Sequence, residues 1–292
     1  MNKIYSLLIV CICYLSAIGV AFFCVPFFLS YHILIQVLLL DIIITVIIYF
    51  FSFLFKNSSI YDPYWSIIPL VILFYFIYTS NIYMLKFNVL LIFINISLWS
   101  IRLTANWIKN WKGMPFEDWR YIDMRNYSGK YFELSNFLGI HLFPTLIVFI
   151  CCIPIYFVTD IQYQLSAYSF IGFFICLIGV LYEFIADYQL YIFKKRNQKN
   201  TGIINKGLWK YSRHPNYWGE ILFWWGLYIY VCDVAPLYMI LAPILMTLMF
   251  VYISIPWIEN KIIKTRPQYK EYQKNTNILL PELAFIKKTF KF

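Results

Sequence analysis

Residues 165–192 read LSAYSFIGFFICLIGVLYEFIADYQLYI, an apolar run interrupted by two carboxylates, Glu183 and Asp187. A helix that crosses a bilayer needs about 20 mostly apolar residues, and this run supplies them. The spacing of the two acids puts them on one helical face. Like charges so placed repel unless a cation, a donor or a shared proton answers them, and ionisable side chains inside a span turn toward the bundle interior or a cavity. The run therefore reads as a membrane helix that carries part of a site near the end leading into Lys194, Lys195 and Arg196. A salt-bridge network is the structural alternative.

Working outward, comparable runs lie at roughly 5–29, 33–55, 65–83, 87–108 and 137–158, with two more at roughly 217–232 and 235–257, each judged against the length a bilayer requires. Asp233 and Pro236 divide the last pair into a tight helical hairpin or a re-entrant element plus a span. The 292-residue chain is 62% hydrophobic and 13% charged, whereas a soluble globule carries about 25% charged residues. The expected fold is all-α, a polytopic integral membrane helix bundle of seven or eight spans in lipid bilayer, forming a single membrane domain over residues 1–292. The first run is about 25 residues long and lacks a small-residue cleavage site, which favours a retained helix over a signal peptide.

Charge sets the orientation. If eight spans begin on one side, 22 of the 24 Lys and Arg fall on that side, with Lys86 opposite and Arg102 inside a helix. Such asymmetry marks the cytoplasmic face, so both termini are expected in the cytoplasm, at the endoplasmic reticulum of a eukaryote or the plasma membrane of a bacterium. The net charge of +10 then follows from topology and anionic headgroups, and no nucleic acid is needed to explain it. Seven cysteines and three histidines lack the paired spacing of a zinc site, and no metal is expected.

The most polar stretch beside a span is YSRHPNYWGE, Tyr211 to Glu220. Pro215 suits the first turn of a helix, which puts Asn216, Tyr217 and Glu220 in its first two turns. Arg213 and His214 would precede it, where exposed N–H groups and the helix dipole favour an anion such as a phosphate or carboxylate. Arg102, in LWSIRLTANW, either snorkels to the interface or clamps a phosphate or carboxylate in the same pocket.

Three blocks, EFIADYQLYIFKK, GLWKYSRHPNYWGEILFWWG and IPWIENKIIKTRPQYKEYQKNTNILLP, with PFEDWRYIDMR earlier in the chain, resemble the carboxy-terminal domain of the steroid 5-alpha reductase superfamily over about residues 60 to 285. The resemblance is closest to the branch that carries SRHPNY-x-GE. It implies NADPH bound in a cavity open to the cytoplasm and hydride transfer to a carbon–carbon double bond of a lipid or steroid-like enone. It also implies cofactor contacts at Asp187, Asn216, Tyr217 and Glu220, matches Arg213 and His214 to the basic pair of that branch, and sets Arg102 where the steroid enzymes have a phosphate-contacting arginine. Lys195 and Arg196, in the basic 193–216 cluster, are further candidates for the cofactor. The superfamily's steroid enzymes hold the substrate ketone with a glutamate and a tyrosine from early helices. This chain has no glutamate before Glu117, and Asp62 with Tyr61 or Tyr64 is the nearest pair for that catalytic role. A related RHP-x-Y-x-G core occurs in isoprenylcysteine and phospholipid methyltransferases, so an S-adenosylmethionine-dependent membrane methyltransferase is the alternative. A non-catalytic sterol-binding protein is a second.

Overall fold

Hydrocarbon offers no water to an unpaired backbone N–H or C=O, so a span either closes its hydrogen bonds within a helix or joins a barrel. A computed structural model describes residues 2–80, 86–160, 162–197 and 202–279, and among these there are helices and turns and no strand. Part of the resembling region, residues 280–285, lies outside them. Among the described residues, seven helical stretches are long and apolar enough to cross a membrane. The chain packs as two compact units, residues 1–164 and 165–292.

The first unit comprises α1 (Lys3–Cys24), α2 (Ile33–Leu54), α3 (Tyr64–Thr79), α4 (Phe87–Asn110), α5 (Trp119–Ser128), α6 (Phe132–Ser135) and α7 (Phe143–Val158). Polar residues at the junctions start these helices by accepting exposed N–H groups: Asn2 takes Ile4 N at 3.2 Å and Asp118 takes Arg120 N at 2.9 Å. Helix α7 is entered through a π-helical stretch, Asn136–Leu142, a form that recurs at functional sites. Helices α2, α3 and α7 pack on one another, and their mutual faces bury an unusual number of polar groups for a membrane bundle: Asp41, Thr45, Tyr61, Tyr64, His141 and Thr145 are each at most 3% exposed.

The second unit comprises α8 (Ala167–Arg196), α9 (Pro215–Val231), α10 (Leu241–Met249), α11 (Ile255–Thr265) and α12 (Tyr269–Asn275). Pro215 opens α9 as its sequence position implies, and the chain turns between Val231 and Leu237 as Asp233 and Pro236 suggest. At 17 residues α9 is short for a span. It lies antiparallel along α8 on a seam of small residues, Gly172 and Gly179 facing Gly226 and Gly219. A Cβ on Gly179 would sit 2.6 Å from the Gly219 carbonyl oxygen, and one on Gly226 would sit 2.6 Å from Cys176 Sγ and 2.9 Å from the Gly172 oxygen. Small residues at such intervals let helix backbones approach closely in a membrane. Gly179→Ala is therefore expected to destabilise the fold by about 1–3 kcal/mol through overpacking. Gly19→Ala, where nothing lies within 4 Å of the added atom, should leave stability unchanged or raise it by up to about 1 kcal/mol from helix propensity. Thermal unfolding of both variants in detergent checks the pair.

Candidate functional site

Helices α1, α2 and α3 line a half-open cavity of about 230 Å³. Its wall is almost wholly apolar, with Ala21, Val37, Ile44, Ile68 and Ile72 among its lining, and its carboxyl is that of Asp41. Phe22, Phe74 and Tyr78, also in the lining, are exposed on the outer surface of the unit. Asp41 itself is 3% exposed. Its Oδ1 accepts the Tyr64 phenol at 2.6 Å, while Oδ2 is buried with no hydrogen-bond partner among the described residues. An orphaned oxygen of this kind is costly in an apolar setting. One oxygen of the side chain is thus held by Tyr64, and the other is sealed in the wall of the cavity without a donor among the described residues.

Asp62 and Tyr64, paired by sequence reasoning, turn to different partners, and this corrects their proposed joint role. Tyr64 reaches across to α2, whereas Asp62 accepts from the Tyr121 hydroxyl and faces the Arg120 guanidinium at 3.8 Å. Asp62 belongs to a clamp built by the PFEDWRYIDMR block. Glu117 Oε1 accepts from Ser58 N at 2.8 Å and is held by Arg125 at 3.2 Å, Asp118 N donates to Ser59 Oγ at 2.8 Å, and Asn57 Nδ2 donates to the Met114 carbonyl at 2.7 Å. The block thus fixes the 57–62 turn from which Tyr61 and Tyr64 emerge.

In the second unit the α8–α9 seam gathers the acidic and amide residues singled out on sequence. Asn216 Nδ2 donates to Asp187 Oδ1 at 3.4 Å. Glu183 packs against Gly219, and the buried Glu220 accepts from Trp224 Nε1 at 3.1 Å. Lys194 lies within electrostatic reach of Asp187 and of Arg266, and Lys195 and Arg196 are exposed at the end of α8. Tyr217 stacks on His214, with ring centroids 5.6 Å apart, and lies against a tilted Phe250 ring 4.9 Å away. Arg102 belongs to the first unit, half-buried on α4.

Arg213 and His214 are already committed, which corrects their reading as an open anion receptor. Arg213 Nε donates to Glu259 Oε1 at 2.8 Å, and its Nη1 donates to the carbonyls of Gln273 at 2.8 Å and Thr276 at 3.1 Å. His214 Nε2 is 2.8 Å from the same Glu259 oxygen, which also accepts from Tyr269 at 3.1 Å, while Gln273 Nε2 donates to Oε2 at 2.6 Å. The basic pair thus fastens α11 and α12 to the entry of α9. Burial is the largest influence on the His214 imidazole and holds its pKa below the usual histidine value, against the pull of Glu259. Asp41 stands out in the sequence as an ionisable residue inside a span, but its pairing with Tyr64 does not, and Glu259 as a partner for Arg213 is passed over altogether. Each had the same signal, a carboxylate within an apolar segment, in VLLLDIII and in ISIPWIEN.

Comparison with known proteins adds a family and little more. An uncharacterized protein of Schizosaccharomyces pombe, C594.04c, is 26% identical over an alignment of 216 residues that covers 66% of this chain and 63% of that protein. The chain therefore matches less than two thirds of its relative's length. No solved structure matches. The family model described as protein of unknown function DUF1295 matches residues 48–276, a stretch that includes Tyr64, the PFEDWRYIDMR clamp, the α8–α9 seam and Glu259. By that match the chain belongs to the DUF1295 family.

Proposed function

We propose that the protein is a membrane-embedded, NADPH-dependent reductase that saturates the carbon–carbon double bond of a lipid or steroid-like enone. The observation that carries this reading is Asp41, a carboxyl with one oxygen hydrogen-bonded to Tyr64 and the other orphaned at the wall of an apolar cavity. When hydride adds to an enone, negative charge develops on the carbonyl oxygen, and a preorganised donor aimed at that oxygen in a water-poor site lowers the barrier. Asp41, backed by Tyr64, supplies such a donor on helices α2 and α3. It fills the role that the likeness to steroid 5-alpha reductases led us to seek in Asp62.

The donor set on α8 and α9 suits a nicotinamide dinucleotide. Asp187 and Asn216 offer a carboxylate and an amide for ribose hydroxyls or a carboxamide, and Lys194, Lys195 and Arg196 offer cations for phosphates. NADPH, when bound, supplies the hydride. Arg213 and His214 are left out of this set because Glu259 and the tail carbonyls occupy them. The charge count assigns residues 193–216 to the cytoplasm, where the nucleotide is found. Methyl transfer from S-adenosylmethionine to a thiolate or amine builds no oxyanion for a buried acid at an apolar cavity to answer, which is why the reductase is preferred.

The test is thermal unfolding of the purified protein in detergent. A ligand at about 100 times its dissociation constant stabilises the state it binds by about 2.7 kcal/mol, so NADPH is expected to raise the melting temperature and S-adenosylmethionine to leave it unchanged. Asn216→Ala and Glu220→Ala should each abolish the NADPH response. A shift with S-adenosylmethionine alone would reverse the assignment.

A further inference from the structure

Behind Asp41, a chain of hydroxyl groups crosses three helices. Thr45 Oγ1 of α2 is 2.8 Å from the Tyr64 phenol of α3, Thr45 and Thr145 Oγ1 of α7 are 2.9 Å apart, and Thr145 is 2.8 Å from the hydroxyl of Tyr61 at the foot of α3. Thr45, Thr145 and Tyr64 are 0% exposed and Tyr61 is 1% exposed. A threonine inside a helix ordinarily turns its hydroxyl to the carbonyl four residues back. For Thr45 that is the Asp41 carbonyl, which instead accepts from Tyr64 at 2.9 Å. Tyr64 thus has one proton and two acceptors on the same residue, the Asp41 main-chain oxygen and Oδ1.

Each hydroxyl also has only one proton, so the arrangement that links all four runs head to tail. Tyr61 donates to Thr145, Thr145 to Thr45, Thr45 to Tyr64, and Tyr64 to Asp41. The His141 carbonyl, 2.9 Å from Thr145 Oγ1, shares the Thr145 proton. Hydrogen bonds aligned in this way polarise one another in a low-dielectric interior.

We propose that Thr45 and Thr145 are positioning residues for Asp41. By donating into the phenol oxygen, the chain directs the Tyr64 proton to Oδ1, and because Oδ1 then accepts, the acid's own proton sits on Oδ2, the buried oxygen with no hydrogen-bond partner among the described residues. This assigns the chain a purpose that rests on the reductase reading, although its geometry does not.

The experiment is infrared difference spectroscopy of the full chain in detergent, with the Asp41 carboxyl C=O stretch identified by its disappearance in Asp41→Asn. In Thr45→Val, which keeps the shape and removes the hydroxyl, the weakened bond into Oδ1 should move the band to higher wavenumber. Thr45→Ser should return it to the wild-type position, a rescue that loss of packing does not predict. If Thr45→Val does not fold, Thr145→Val, one link further from Asp41, should shift the band in the same direction by less. A band in the threonine-to-valine variants that coincides with wild type overturns the proposal, as does the absence of any protonated-carboxyl band assignable to Asp41 in wild type. The readout needs neither nucleotide nor substrate, so a protein that fails to bind NADPH yet shows the shift sinks the reductase reading alone.

Discussion

Asp41→Leu, assayed with NADPH and a 3-oxo-4-ene steroid or alkyl cyclohexenone as probe, is expected to lose about 100- to 1,000-fold in kcat, the usual consequence of removing one donor to a developing oxyanion. The protein should nonetheless melt at or above the wild-type temperature, because the orphaned oxygen is gone and removing a buried ionisable group is often neutral or stabilising. In this variant Tyr64 retains the main-chain carbonyl of position 41, which it already approaches at 2.9 Å. Asp41→Asn keeps an oxygen to accept from Tyr64 and an amide N–H that still donates, so it should retain more turnover than the leucine variant. The opposite pattern is expected at Asp62. Asp62→Asn weakens the contacts to Tyr121 and Arg120 that hold the 57–62 turn, so it should lower the melting temperature and leave kcat close to wild type. Steady-state kinetics and thermal unfolding on the same preparations separate the two carboxylates. If Asp62→Asn loses turnover at unchanged stability while Asp41→Leu keeps it, the cavity is not where the chemistry occurs.

The contrast between those two aspartates shows what a sequence of this kind displays and what it hides. The helices and their order were legible because bilayer thickness imposes a length on every apolar run. The start of α9 was legible because proline has few other places in a helix. Asp187 and Asn216 were each legible as polar residues beside an apolar run, but the hydrogen bond between them was not. The partner of Tyr64 was not legible. Proximity along the chain favoured Asp62, two residues away, yet Asp62 lies before the first turn of α3, and its side chain leaves toward α5. Asp41 is 23 residues earlier, and which of its faces α2 presents to α3 depends on helix rotation, which a run hydrophobic on nearly all sides does not encode. The basic pair at Arg213 and His214 misled for a related reason. A positive charge beside a helix start fits an external anion and an internal carboxylate equally well, and only packing of α11 against α9's entry reveals Glu259.

Glu259→Ala should be the most destabilising single substitution in the second unit. It leaves the guanidinium of Arg213, whose side chain is only 13% exposed, without its counter-charge, and it strips an acceptor from His214, Tyr269 and Gln273 together. Breaking a buried pair by removing one partner costs about 3–5 kcal/mol, and the loss should appear both as a lower melting temperature and as faster tryptic cleavage at Lys270 and Lys274. Glu259→Gln keeps hydrogen-bonding capacity without the charge and should fall between. The same cluster gives wild type a pH dependence whose sign can be worked out. Burial holds the folded His214 below the ordinary value of 6.5, so between those two values the unfolded chain binds a proton that the folded chain refuses, and stability rises with pH. The contribution is therefore complete above about pH 6.5 and is lost as pH falls through the folded value. His214→Gln should flatten that part of the profile. A Glu259→Ala protein that melts and resists trypsin like wild type would mean that α12 is held by its apolar contacts, and would return Arg213 and His214 to the pool of residues available to an anionic ligand.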